Sequence, residues 1–118
     1  KAGISSRENF KEKDVVFATQ SGPMALIDGA INTAFNQDSK NVNIRNGVGI
    51  LPNGDCLFVM SRGLVTFYEF AQFFKEQGCK NALYLDGAIS QTYLPAKGYS
   101  YKGGNFGVIV AVTEKVKK

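Results

Sequence analysis

Asp86 closes an apolar run, Ala82–Leu85, and is followed at once by Gly87 and then, beyond Ala88 and Ile89, by Ser90. A carboxylate at the end of a buried strand is costly unless a charge or a hydrogen-bond donor meets it. Glycine lets the backbone turn there and lets a ligand come close. A carboxylate on such a rigid strand end suits acid–base chemistry, with the Ser90 hydroxyl on the loop beside it. The plainer reading is a strand-to-turn junction in which Asp86 caps its own loop.

Three other groups are candidates for the same site. Arg45 and Asn46 interrupt a β-rich stretch, Asn43–Leu51, that also holds Gly47 and Gly49. Glycine inside a strand points to a bulge or a close backbone approach. The Arg45 guanidinium is a planar fork that matches phosphate or carboxylate; the alternative is an exposed arginine on a strand edge. Gln20 and Ser21 precede Gly22-Pro23 at another strand end, as a site wall or a polar corner. Glu69 has a structural task as a helix-capping partner, with a catalytic role secondary to it.

Composition narrows the chemistry. The 118 residues contain no histidine, which excludes Ser-His and Cys-His nucleophile pairs and any histidine-containing zinc site within them. Acid–base work falls to carboxylates, lysine or tyrosine. The two cysteines, Cys56 and Cys79, are too few for a metal cluster, and their spacing leaves both a disulfide and free thiols open. The net charge of +4 owes much to Lys115, Lys117 and Lys118, read as a solvated terminus, so no nucleic-acid partner is expected. Spread positive charge suits an anionic small substrate. No apolar run approaches the roughly 20 residues of a membrane span.

The elements that must position these residues follow from local pattern. Residues 1–14 read as a loop or short helix. Val15–Ala18 reads as a strand, Met24–Ile27 as extended chain ending in an Asp28-Gly29 turn, and Pro52–Asp55 as a hairpin turn. Cys56–Met60, continuously apolar, predicts a return strand buried on both faces. Thr66–Gln77 predicts a helix: Thr66 and Glu69 form a capping box, Val65 and Phe70 a hydrophobic staple, and Gly78 the terminator. Phe67, Phe70, Ala71 and Phe74 share its core face. Gln91–Tyr101 reads as a loop whose Tyr93, Tyr99 and Tyr101 line a pocket. Phe106–Val112 reads as a last strand. Together these imply an α+β fold, a mixed sheet with at least one packed helix.

Four segments in order, Ala18–Met24, Ile44–Gly49, Val65–Ala71 and Asn81–Ser90, resemble the phosphodiester glycosidase domain of the uncovering enzyme and its bacterial relatives. The likeness runs from Val15 to Val112 and is nearest to a secreted or periplasmic branch. It implies hydrolysis of a sugar 1-phosphodiester to free sugar and phosphomonoester, at a site holding Arg45, Asp86 and Ser90 with Gln20, Ser21 and Asn46 nearby. Glu69 matches a family carboxylate and becomes the second acid–base candidate. No cofactor is implied, and the ligand set at Asp86 is too thin to predict a divalent ion. Where the family often reads Asp-Gly-Gly-Gly-Ser, this sequence has Asp86-Gly87-Ala88-Ile89-Ser90. Family members also carry an upstream Asn-Gly-Gly-rich strand end. Residues 1–118 are therefore read as one such domain that either lacks its N-terminal part, as a fragment or as half of a nicked protein with a complementing segment, or is a naturally short member. The competing expectation is a non-catalytic module on the same scaffold that binds an envelope glycan.

Overall fold

The Asn53-Gly54 turn folds as its residue types dictate. Gly54 takes a positive φ of 91°, Leu51 N–H and Asp55 C=O close the loop at 2.9 Å, and the Asn53 side chain accepts from Asp55 N–H at 3.0 Å. The turn joins β3 (Asn46–Ile50) to β4 (Cys56–Met60) in register. Asp28 and Gly29, both at positive φ, likewise join β1 (Met24–Ile27) to β2 (Ala30–Ile31). The α-helix α1 (Phe67–Glu76) begins at Thr66 with the full capping box and ends before Gly78 at φ 81°. β5 (Ala82–Asp86) follows it. The computed structural model describes residues 1–87, 89–104 and 109–116.

The five strands form one sheet in the order β2-β1-β5-β3-β4, each neighbouring pair antiparallel, with α1 packed on one face. The fold is α+β. Its core joins Ala25, Leu26 and Ala82 of the sheet to Phe70, Ala71 and Phe74 of the helix and to Cys79. The β3 glycines permit this contact. A Cβ on Gly47 would stand 2.6 Å from Leu83 O and 2.9 Å from Phe70, and one on Gly49 would stand 2.7 Å from Phe74. Close approach and bulge both occur, since the ladder to β5 shifts register between Asn46 and Gly47.

Three elements differ from expectation. Val15–Ala18 is not a strand; Val16 and Phe17 are 82% and 94% exposed. β-propensity expresses itself only against a neighbouring strand, and none of the described residues pairs with this run. β4, the edge strand, is buried on one face only, because α1 covers one face of the sheet: Leu57 and Val59 pack towards the core, while Cys56 and Phe58 are exposed. The Gln91–Tyr101 loop contains a small antiparallel pair, β6 (Tyr93–Leu94) and β7 (Tyr99–Ser100), joined by a 3-10 turn over Pro95–Lys97. Of the expected last strand, residues 106–108 lie outside the described residues, and Ile109–Val112 has no strand structure. Lys117 and Lys118 also lie outside them. Among the described residues no helix is long and apolar enough to cross a membrane.

Candidate active site

Antiparallel pairing decides which strand ends meet. β4 and β5 both run against β3, and β1 runs against β5. The C-terminal ends of β4 and β5 and the N-terminal ends of β1 and β3 therefore share one end of the sheet. Ser21, Arg45, Asn46, Asp86 and Ser90 are collected there although they are scattered in sequence. Asn46 pairs across the ladder with Asp86 on one side and Met60 on the other.

Asn46, Ser90 and Asp86 form a relay. Asn46 Nδ2 donates to Ser90 Oγ at 3.0 Å, and Ser90 Oγ donates to Asp86 Oδ2 at a long 3.4 Å. Asn46 Oδ1 is buried with no partner among the described residues. An unmet buried acceptor costs about 1–3 kcal/mol, so this oxygen is poised for a donor. Ser21 Oγ donates to Tyr84 O, fastening the segment before β1 to β5. Gln20 is exposed on that segment and takes no part in the relay.

Arg45 is not an exposed edge residue; it is 1% exposed. Its Nε donates to Val65 O and its Nη2 to Asn41 O, both at 2.9 Å. The guanidinium carbon lies 3.7 Å above the Phe67 ring and 5.6 Å from the Tyr84 ring centroid. Phe67, expected in the core, is this platform, and Phe35 stacks on it with centroids 4.9 Å apart. Nη1 faces Gly87, 3.3 Å from where a Cβ would stand, and the Tyr84 hydroxyl occupies the rest of that space. Gly87 therefore serves close packing of Tyr84 and Arg45 under the turn. Sequence reasoning passed over Tyr84 and the Phe67 platform. Tyr84 lay within an apolar run, where only its hydroxyl signalled anything beyond packing.

Glu69 is where the capping box puts it. Its carboxylate accepts from Thr66 N–H at 2.8 Å, while Thr66 Oγ1 accepts from Glu69 N–H at 3.1 Å. The Thr66 backbone N–H, and secondly its side chain, hold the Glu69 carboxyl below its ordinary value. The helix start lies at the same end of the sheet, because Val65 bridges Asn43 and accepts from Arg45. Cys56 and Cys79 are both free, and burial pushes the Cys79 thiol up. Among the described residues no cluster of three or more acidic or cysteine side chains could hold a metal ion. A hollow of about 210 Å³ opens elsewhere, between Ile4–Asn9 and Met24, Ile27 and Asn81, and holds none of the relay groups.

A carboxylate oriented by a hydroxyl, with an open acceptor beside it and a buried cation beneath the turn, is equipped to handle a polar, hydroxyl-rich substrate. The chain belongs to the phosphodiester glycosidase family, whose match covers residues 1–111. Over 117 residues it is 36% identical to the uncharacterized protein YigE of Escherichia coli (strain K12), a match covering 98% of this chain and 46% of that relative. The chain thus spans about half the length of that relative. No solved structure matches it.

Proposed function

We propose that the protein hydrolyses a sugar 1-phosphodiester, breaking the bond between sugar C1 and the phosphate oxygen to release free sugar and a phosphomonoester. Family membership supplies the reaction class, and the Asn46–Ser90–Asp86 relay is the observation that carries it to residues. Asp86 acts as acid–base group or as the charge that stabilises a cationic sugar transition state. Asn46 Oδ1 accepts a substrate hydroxyl, and Ser90, Ser21 and Gln20 hydrogen-bond the sugar or its phosphate. Arg45 sets positive potential beneath the turn. Glu69 is the second carboxylate, and its cap bonds favour the ionised form, which suits a base better than an acid. The protein works in the periplasm or outside the cell, a part of the proposal that rests on the family likeness and that fractionation tests.

Release of free sugar from a panel of sugar 1-phosphodiesters, by the intact protein and its Asp86→Asn variant, tests the reading. Release by the wild type that falls at least about a hundredfold in the variant supports it. A folded protein that releases nothing from the panel favours a second reading, a glycan- or envelope-binding module. The exposed Tyr93, next to Thr92 at the sheet end, is the observation for that reading.

A further inference from the structure

The arginine that faces outward at this end of the sheet is Arg62. Arg45 is enclosed, with Nε and Nη2 engaged by backbone carbonyls and its plane laid on Phe67. A bidentate grip on a substrate phosphate needs a free edge of the guanidinium. Arg62 is exposed, and its guanidinium carbon lies 5.8 Å from the Tyr99 ring centroid.

Three contacts of its neighbours place the segment that carries Arg62 at the sheet end that holds the relay. Its neighbour Ser61 is tied to Arg45 twice, by Ser61 N–H to Arg45 O at 2.8 Å and by Arg45 N–H to Ser61 Oγ at 2.9 Å. Thr92 Oγ1 contacts Met60 Sδ at 3.1 Å. The chain leaving β5 therefore crosses the sheet end, past Asn46 at Ser90 and past Met60 at Thr92, before rising into β6 and β7. With strands about 4.8 Å apart, Met60 and Asp86 are roughly 10 Å apart across β3. A glycosyl phosphate and an arginine side chain together cover that span. Lys102, 5.9 Å from the Tyr93 ring centroid, adds a second cation to the same hairpin.

We propose that Arg62, propped on Tyr99, holds the phosphate of the substrate, and that the β6–β7 hairpin forms the wall against which the group beyond the phosphate rests. The assignment rests on the phosphodiester reading above and makes Arg45 a positioning residue for the Asp86-Gly87 turn.

The test is calorimetric titration of the intact protein, as wild type and on the Asp86→Asn background where substrate is not consumed. The probes are methyl phosphodiesters of common hexose 1-phosphates and the matching free hexoses. Arg62→Gln is expected to weaken phosphodiester binding about tenfold or more, by loss of a charge-assisted bond, and to leave hexose binding unchanged. Arg62→Lys keeps the charge without the fork and recovers part of the affinity. Tyr99→Leu gives a smaller loss of the same sign. Unchanged phosphodiester affinity in Arg62→Gln overturns the assignment, as does an equal loss for the free hexose or no phosphodiester binding at all. Binding and turnover separate the two readings. A protein that shows the Arg62 pattern yet releases no sugar refutes the hydrolase and keeps the assignment, whereas one that releases sugar with Arg62→Gln unchanged does the reverse.

Discussion

Arg45 and Arg62 stand at the same end of one sheet, sixteen positions from Ser61 and next to it respectively, and each lies against an aromatic ring, yet one is buried and the other exposed. The inner region around Arg45 is packed: Phe67, backed by Phe35, and Tyr84 flank the guanidinium, carbonyls engage its Nε and Nη2, and Gly87 leaves room for it. The outer region around Arg62, Ser90 and the β6–β7 hairpin is open, with aromatic side chains in solvent. A residue type chosen for its charge can thus be consumed by the scaffold. What distinguishes a binding group from a strut is which donors remain unengaged.

The largest stability loss belongs to the core beneath the inner region. Phe74, fully buried, should cost about 3–5 kcal/mol when replaced by alanine, read as a drop in the denaturant midpoint. A loss under about 1 kcal/mol would mean that α1 is not packed on the sheet as described. Arg45→Lys should cost about 2–3 kcal/mol, because lysine cannot serve Val65 O and Asn41 O while lying on Phe67. Arg62→Gln should stay within about 0.5 kcal/mol of wild type. Equal losses at the two arginines would erase the distinction between inner and outer regions.

Between the losses at the two arginines lies the helix cap. Thr66→Ala should cost about 1 kcal/mol. Glu69 adds a dependence on pH whose sign is fixed. Its folded value lies below the ordinary 4.5, so its contribution is fully present above 4.5 and is lost as pH falls through the folded value. Glu69→Gln should flatten that acid-side slope in pH-dependent unfolding, and an unchanged slope would place the titrating group elsewhere.

Much of the scaffold was legible in the sequence because its signals are local. The Thr66–Glu69 box, the Asn53-Gly54 turn and the Gly78 stop each act over a few residues, and each forms as their chemistry demands. Local pattern marked Asp86 as a strand end with Ser90 on the loop beside it, whereas the grouping of these two with Ser21, Arg45 and Asn46 came from the family likeness. Val15–Ala18 misled because β-propensity says nothing about whether a partner strand is present. β4 misled because an apolar run cannot announce that one of its two faces meets solvent. The β6–β7 hairpin, two residues per strand around Pro95 and Gly98, is too short for period-two alternation to register. The enclosure of Arg45 could not be read at all, since it depends on Asn41, Phe67 and Tyr84 converging from three separate segments.

Hydrolysis in heavy-oxygen water tests most directly the proposed breakage of the sugar–oxygen bond at Asp86. Cleavage at C1 places the heavy oxygen on the released sugar and leaves the phosphomonoester unlabelled, and the Asp86→Asn variant should form neither product at an appreciable rate. Label in the phosphate, or undiminished labelled sugar from Asp86→Asn, would contradict the account.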